Sequence, residues 1–323
     1  MIQMKNKPNK VVPQSSKVAR PAPILPNWVF DGSSALTLEN ASFASGSALA
    51  LLHSTLNNPD INIPGKLLRQ QFALKAAVTC LKFEHRSDDE NQLLDAYYLT
   101  ASGDARGPGG DMLAFWFDAC AISFRGQGWQ NRVLNILPEP ARVFADAWLD
   151  MSWDDSDVSN PVAAAVKRLI HVTQIRPREE ALAFLMADIT LSKRLGLTHP
   201  FPFFAHHLKM KQLQGDKAEL LKTCHMMIAV ISEKIIRVAH DLARRTEKIH
   251  AIAPKLRAKG SDQAVELFLS ELAVSPSGML YPKIKGSNVS MTQRSANRLC
   301  DRLVDLGVVR ELTGRPTFRL YGI

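Results

Sequence analysis

Apolar residues along most of this chain recur every three or four positions, the spacing of one helical face. Ala48, Leu51, Leu52 and Leu56 share such a face, and so do Leu67, Leu68, Phe72, Ala76, Val78 and Leu81. Asp88, Asp89 and Glu90 place acids where they complement the dipole of a helix running through Tyr98. Further helices are predicted over 112–124, 140–151, 161–173 and 178–195, with Pro140 and Pro161 suited to first-turn positions. No stretch before residue 308 alternates with period two. The fold class expected is mainly α: a helical bundle body.

One helix stands out for length. Between Asp216 and about Ile252 there is no Pro or Gly. Leu221, Cys224, Ile228, Ile231, Ile235, Val238 and Leu242 recur in alternating steps of three and four, which is a heptad seam. Such a seam either pairs two chains, giving a homodimer through residues 221–242, or packs inside its own bundle. The second is the commoner use.

Pro254 and Gly260 close this helix, and the pattern then changes. Ser261 is a suitable N-cap for a helix whose stripe is Ala264, Val265, Phe268, Leu269 and Leu272. Ser275-Pro276-Ser277 opens a short turn ended by Pro282, and Ser290 or Thr292 can cap a second helix. In that helix Ala296, Leu299, Cys300, Leu303 and Val304 form the apolar side, and Gly307 supplies a left-handed stop. The strands expected over 308–312 and 317–321 form a hairpin across Thr313-Gly314-Arg315-Pro316. Helix, turn, helix, hairpin is the order of a small winged-helix module over 261–323, following an α-helical domain over 27–258.

The polar side of the second helix carries Gln293, Arg294, Asn297, Arg298 and Arg302. Arg suits guanine edges, and Gln or Asn suits adenine. Arg315 sits at the expected hairpin tip, where it would meet phosphate or the minor groove, and Arg310 and Arg319 would add phosphate contacts. Charge supports this assignment. The chain carries a net +9, unevenly spread: residues 244–323 hold fourteen Lys and Arg against seven Asp and Glu. Residues 1–26 hold five basic residues, no acid and five prolines, and read as a flexible basic tail. Polyanion contact is therefore expected at the two ends.

Hydrophobic residues make up 46% of the 323-residue chain, enough to bury a sizeable core. Four widely spaced cysteines with no Cys-x-x-Cys argue for reduced thiols and against a zinc knuckle. No apolar run reaches transmembrane length and no secretory leader is evident, so a soluble, cytoplasmic protein without a membrane partner is expected.

Candidate chemistry is sparse. His199, His206 and His207 fall in a Pro- and Phe-rich stretch and could bind a metal; a turn leading into a buried helix accounts for them more simply. Gly103 to Asp111 forms a Gly-rich segment without the Lys-Ser/Thr of a P-loop, and reads as a tight interhelical turn with Asp111 as cap. Asp150, Asp154, Asp155 and Asp157 lack a calcium-loop pattern. Cys224 and His225 are adjacent on a helix and point apart. No catalytic residue, cofactor or metal site is expected.

Several motifs resemble one known family. Residues 251–260 and 268–277, Arg298-Leu299-Cys300-Asp301-Arg302-Leu303, the run 310–322 and the Asp-Ala…Gly-Asp…Gly-Pro pattern within 93–110 are similar to the bacterial domain of unknown function 1403. The likeness begins near Trp28. It implies a protein of about this length with no established activity. It also implies a C-terminal segment similar to the helix-turn-helix ends of some Fic-related proteins. His199-Pro200-Phe201 resembles the start of the Fic motif, but Phe203 to His207 replaces its phosphate-cradling Gly-Asn-Gly-Arg, so no catalytic residue carries over. The function expected is a DNA-binding regulatory or accessory protein. A non-catalytic interaction protein using the long helix is the alternative.

Overall fold

A computed structural model describes residues 22–29, 37–101, 103–149, 160–206, 208–256, 259–276 and 291–323. The turn expected from Ser277 to Pro282, the cap option Ser290, the four-aspartate cluster, His207 and residues 1–21 of the basic tail lie outside these. The described chain is mainly helical, with twelve α-helices and one two-stranded sheet.

The long helix α10 (Lys217–Ile252) begins at Asp216, whose carboxylate accepts from the Ala218 and Glu219 amides. At 1.5 Å per residue its 36 residues span about 54 Å. Its principal neighbour is α1 (Leu38–Leu56), and α2 (Gly65–Phe83) and α7 (Pro161–Ile175) also pack on it. These neighbours cover the heptad seam. Cys224, Ile228, Ile231 and Ile235 are fully buried, Leu242 nearly so, and Leu221 and Val238 are half-buried against the core. The seam packs for most of its length inside its own bundle.

A second group is α2, α3 (Glu90–Tyr98) and α4 (Gly107–Ala121). Asp89 caps α3 through a reciprocal bond pair with Gln92. Helix α4 begins at Gly107, some five residues before the expected start. The Gly-rich segment is thus partly helix, and Arg106, not Asp111, stands at the N-cap position. The reason is packing. A Cβ on Gly110 would lie 3.2 Å from the Ala96 carbonyl carbon and 2.6 Å from the Arg106 Cβ, so glycine lets α3 and α4 approach closely.

Helix α5 (Trp129–Ile136), which the apolar pattern does not announce, and α6 (Glu139–Leu149) follow. Helix α8 (Glu180–Arg194) pairs with α7 and is buried continuously from Leu182 to Ser192. A helix apolar on all sides is the centre of a bundle. The short α9 (Met210–Leu213) leads into α10.

At the C-terminus, α11 (Ser261–Ser270) starts with Ser261 as its first residue, buried, and Gly260 takes the cap position at φ +86°. Helix α12 (Gln293–Asp305) precedes β1 (Arg310–Glu311) and β2 (Tyr321–Gly322), antiparallel in the register Arg310↔Gly322 and Glu311↔Tyr321. Val274 bridges to Tyr321 on the other side of β2, with both N–H···O bonds present at 2.8 and 3.0 Å. The spatial order is 274, β2, β1. The strands are shorter than expected because the Val308 and Val309 amides turn back to the Leu303 carbonyl at the end of α12.

One contiguous core runs from Leu49 to Ile323 and includes Val265, Phe268, Leu299 and Leu320 of the C-terminal segment. Polar ties reinforce it: Glu271, just after α11, accepts from Lys66 and Gln70 of α2. All four cysteines are buried and free. Among the described residues no helix is long and apolar enough to cross a membrane.

Candidate functional site

The site is built on α12. The Thr292 hydroxyl accepts from the Ser295 amide and fixes its start. Ala296, Leu299, Cys300 and Leu303 are buried and seat the helix on the module; Val304, expected in that stripe, is 37% exposed. Gly307 ends it at φ +66°, a conformation suited to glycine.

The opposite face is exposed and ordered in two rows. Arg294, Arg298 and Arg302 stand four residues apart, so their guanidinium groups follow one line along the helix. None of the three has an ion pair or side-chain hydrogen bond among the described residues. Gln293, Asn297 and Asp301 form the adjoining row. That row walls a groove of about 480 Å³ whose other side is Thr317, Phe318 and Arg319 of the loop between β1 and β2. Arg310 is exposed at the start of β1, likewise without an ion pair among the described residues.

The other two predicted arginines face protein. Arg315, expected free at the hairpin tip, makes a fork with Asp95 of α3: Nη1 donates to Oδ2 at 2.6 Å and Nη2 to Oδ1 at 2.7 Å. It also donates to the carbonyls of Thr317 (3.1 Å) and Phe318 (2.7 and 3.1 Å). The Asp95 carboxylate holds the guanidinium even further above its usual pKa. Arg319 donates to the Arg315 carbonyl at 3.1 Å and lies 3.8 Å from the Glu311 carboxylate. The structure therefore gathers Gln293, Arg294, Asn297, Arg298 and Arg302 on one exposed face with Arg310 on the following strand. It does not add Arg315 as a projecting tip.

Sequence reasoning missed Asp95 and Phe318. The fork joins residues 220 positions apart, and nothing local announces it. Phe318 was placed in a strand, yet it sits at φ +52° and is 67% exposed.

Other candidate chemistry resolves into packing. The His206 ring stacks edge-on against Phe72 and its Nε2 bonds the Pro202 carbonyl at 2.7 Å. The His199 Nδ1 pairs with the Thr198 hydroxyl at 2.8 Å, and burial, with Arg69 and Arg125 nearby, pushes its pKa down to about 4. Asp188, fully buried on α8, accepts from the Phe203 and Phe204 amides at 2.8 and 3.0 Å and so fixes the Phe-rich turn. Burial drives its pKa well up. His225 is a buried polar link from α10 to Ser42 and Ser45 of α1, at 3.3 and 2.7 Å. Among the described residues no group of three His, Cys, Asp or Glu side chains is placed to hold a metal.

A family model described as a protein of unknown function (DUF1403) matches residues 13–323. No curated protein matches the chain. The family match takes in the helical body, the arginine-bearing helix and the closing hairpin together, and on that span the chain belongs to the DUF1403 family.

Proposed function

We propose that residues 261–323 form a winged-helix module that binds double-stranded DNA through α12, and that the protein is a non-enzymatic regulatory or accessory factor. The carrying observation is the line of Arg294, Arg298 and Arg302, exposed and without an ion pair among the described residues. Exposed guanidinium groups in a row suit a polyanion, and the neighbouring Gln293 and Asn297 are the types that read adenine. The element order supports the reading, as does the placing of residue 274, β2 and β1 side by side behind α12. Arg310 supplies a phosphate contact beside the helix. Arg315 has a bracing role in this reading. The reading does not lean on the likeness to Fic-related proteins, because the family match says nothing of it. The competing reading, an interaction protein paired through its long helix, has less support, because α1, α2 and α7 cover most of the heptad seam.

A gel shift of the full-length protein with genomic fragments at two salt concentrations tests the proposal. Retention is expected at low salt. With phosphate contacts from Arg294, Arg302 and Arg310, raising salt from about 50 to 200 mM should weaken binding about 40-fold. Replacing Arg298 with Ala should relax specificity at one base pair, at about 1–3 kcal/mol. No shift at low salt by folded protein sinks it.

A further inference from the structure

The loop between β1 and β2 presents the reverse of what its composition announces. Its arginine turns inward and its phenyl ring turns out. Phe318 holds φ +52°, a conformation disfavoured for an L-residue with a bulky side chain. Its ring is 67% exposed, so apolar burial does not compensate. What holds the residue there is Arg315. Its guanidinium grips the Phe318 carbonyl twice and the Thr317 carbonyl once, and the same group is forked to Asp95. Arg319 closes the loop by donating to the Arg315 carbonyl, and the Leu320 amide donates to the Thr313 hydroxyl at 3.3 Å. A large apolar group is thus mounted on a braced backbone, in a conformation that the brace enforces.

Its position ties it to α12. Phe318 lines the same groove as Gln293, Asn297 and Asp301, one helical row from Arg294, Arg298 and Arg302. An occupant of that groove meets the Phe318 ring. A polyanion is the occupant that the arginine line favours, and an aromatic ring on a rigid mount beside a cationic helix suits a stacked duplex. We infer that Phe318 is an apolar wedge that enters between base pairs next to the α12 contact, kinks the duplex and selects flexible pyrimidine–purine steps. Such steps unstack at least cost, so the wedge gives sequence preference without a hydrogen bond to a base. This inference rests on the DNA-binding reading above.

The test uses full-length protein and end-labelled duplexes of about 25 base pairs, with a central TA step or a GC-only centre. Affinity is read by anisotropy and bending by energy transfer between the ends. The wild type is expected to bind and shorten the end-to-end distance, with preference for the TA duplex. Phe318→Ala should lose the shortening and the TA preference, with about tenfold weaker binding; Phe318→Trp should keep both. If the wild type binds but Phe318→Ala bends and discriminates equally well, the wedge is overturned and the DNA reading stands. If the wild type binds neither duplex at low salt, both fall, and the ring is left to a protein partner.

Discussion

Polar groups are accommodated here in two ways, by holding a proton and by pairing with an opposite charge. Asp188 is fully buried and keeps its proton well above the usual carboxylate range. Above pH of about 4 the unfolded chain has lost that proton while the folded chain retains it, so Asp188 works against folding as pH rises. Asp188→Asn keeps an acceptor for the Phe203 and Phe204 amides, and should cost under about 1 kcal/mol at pH 7 while flattening the loss of stability toward alkaline pH. Asp188→Ala leaves two buried amides without a partner and should cost about 2–4 kcal/mol. Urea midpoints for the three proteins at pH 5 and pH 8 check this; equal costs for Asn and Ala would contradict it. His199 acts in the opposite sense. With a folded pKa of about 4, it binds a proton in the unfolded chain first, so stability falls as pH drops from about 6.5 toward 4.

The Arg315–Asp95 fork is the other case. Both side chains are about one-third exposed, which tempers its value. Its bidentate geometry still places it above an ordinary surface pair. A double-mutant cycle with Ala at both positions should return a coupling of about 1–2 kcal/mol in chemical unfolding. Arg315→Lys should not restore it, because an ammonium cannot grip Asp95 and the 317 and 318 carbonyls in one plane. Zero coupling would remove the brace on which the posture of Phe318 depends.

At the scale of elements, periodicity announced the long helices because each has a regular buried stripe. Asp216, Asp89, Asn160 and Thr292 stand as caps where short polar side chains should. Helix α5 was not legible: it has eight residues, and only Trp129 and Val133 are buried. The early start of α4 was hidden because glycine looks like loop, whereas here it makes room for α3. Gly110→Ala separates the two effects. Helix propensity alone would give about 1 kcal/mol of stabilisation. The contacts at 2.6 and 3.2 Å should outweigh it and produce a net loss of about 1–3 kcal/mol in thermal unfolding. A stabilised variant would show that α3 and α4 are free to separate. Of the candidate site, the α12 row was legible because helical spacing alone places Arg294, Arg298 and Arg302 in line. The posture of the loop was not, since it depends on Asp95, far away in the chain.

At the scale of the whole molecule, the C-terminal segment and the body share one core and are joined by Glu271 to α2 and by Arg315 to α3. The arginine-bearing and bundle-forming parts should therefore unfold together, as a single urea transition seen alike by the tryptophans, all of which precede residue 261, and by the circular dichroism of the whole chain. The salt dependence of duplex binding reads the arginine line of α12. Anisotropy titrations of full-length protein and of the Arg294→Ala/Arg298→Ala/Arg302→Ala triple variant, across a salt series, yield the slope of log affinity against log salt. The slope should be shallower in the variant by about two, one for each lost phosphate contact of Arg294 and Arg302, with folding unchanged. Equal slopes and affinities in the two proteins would contradict the account.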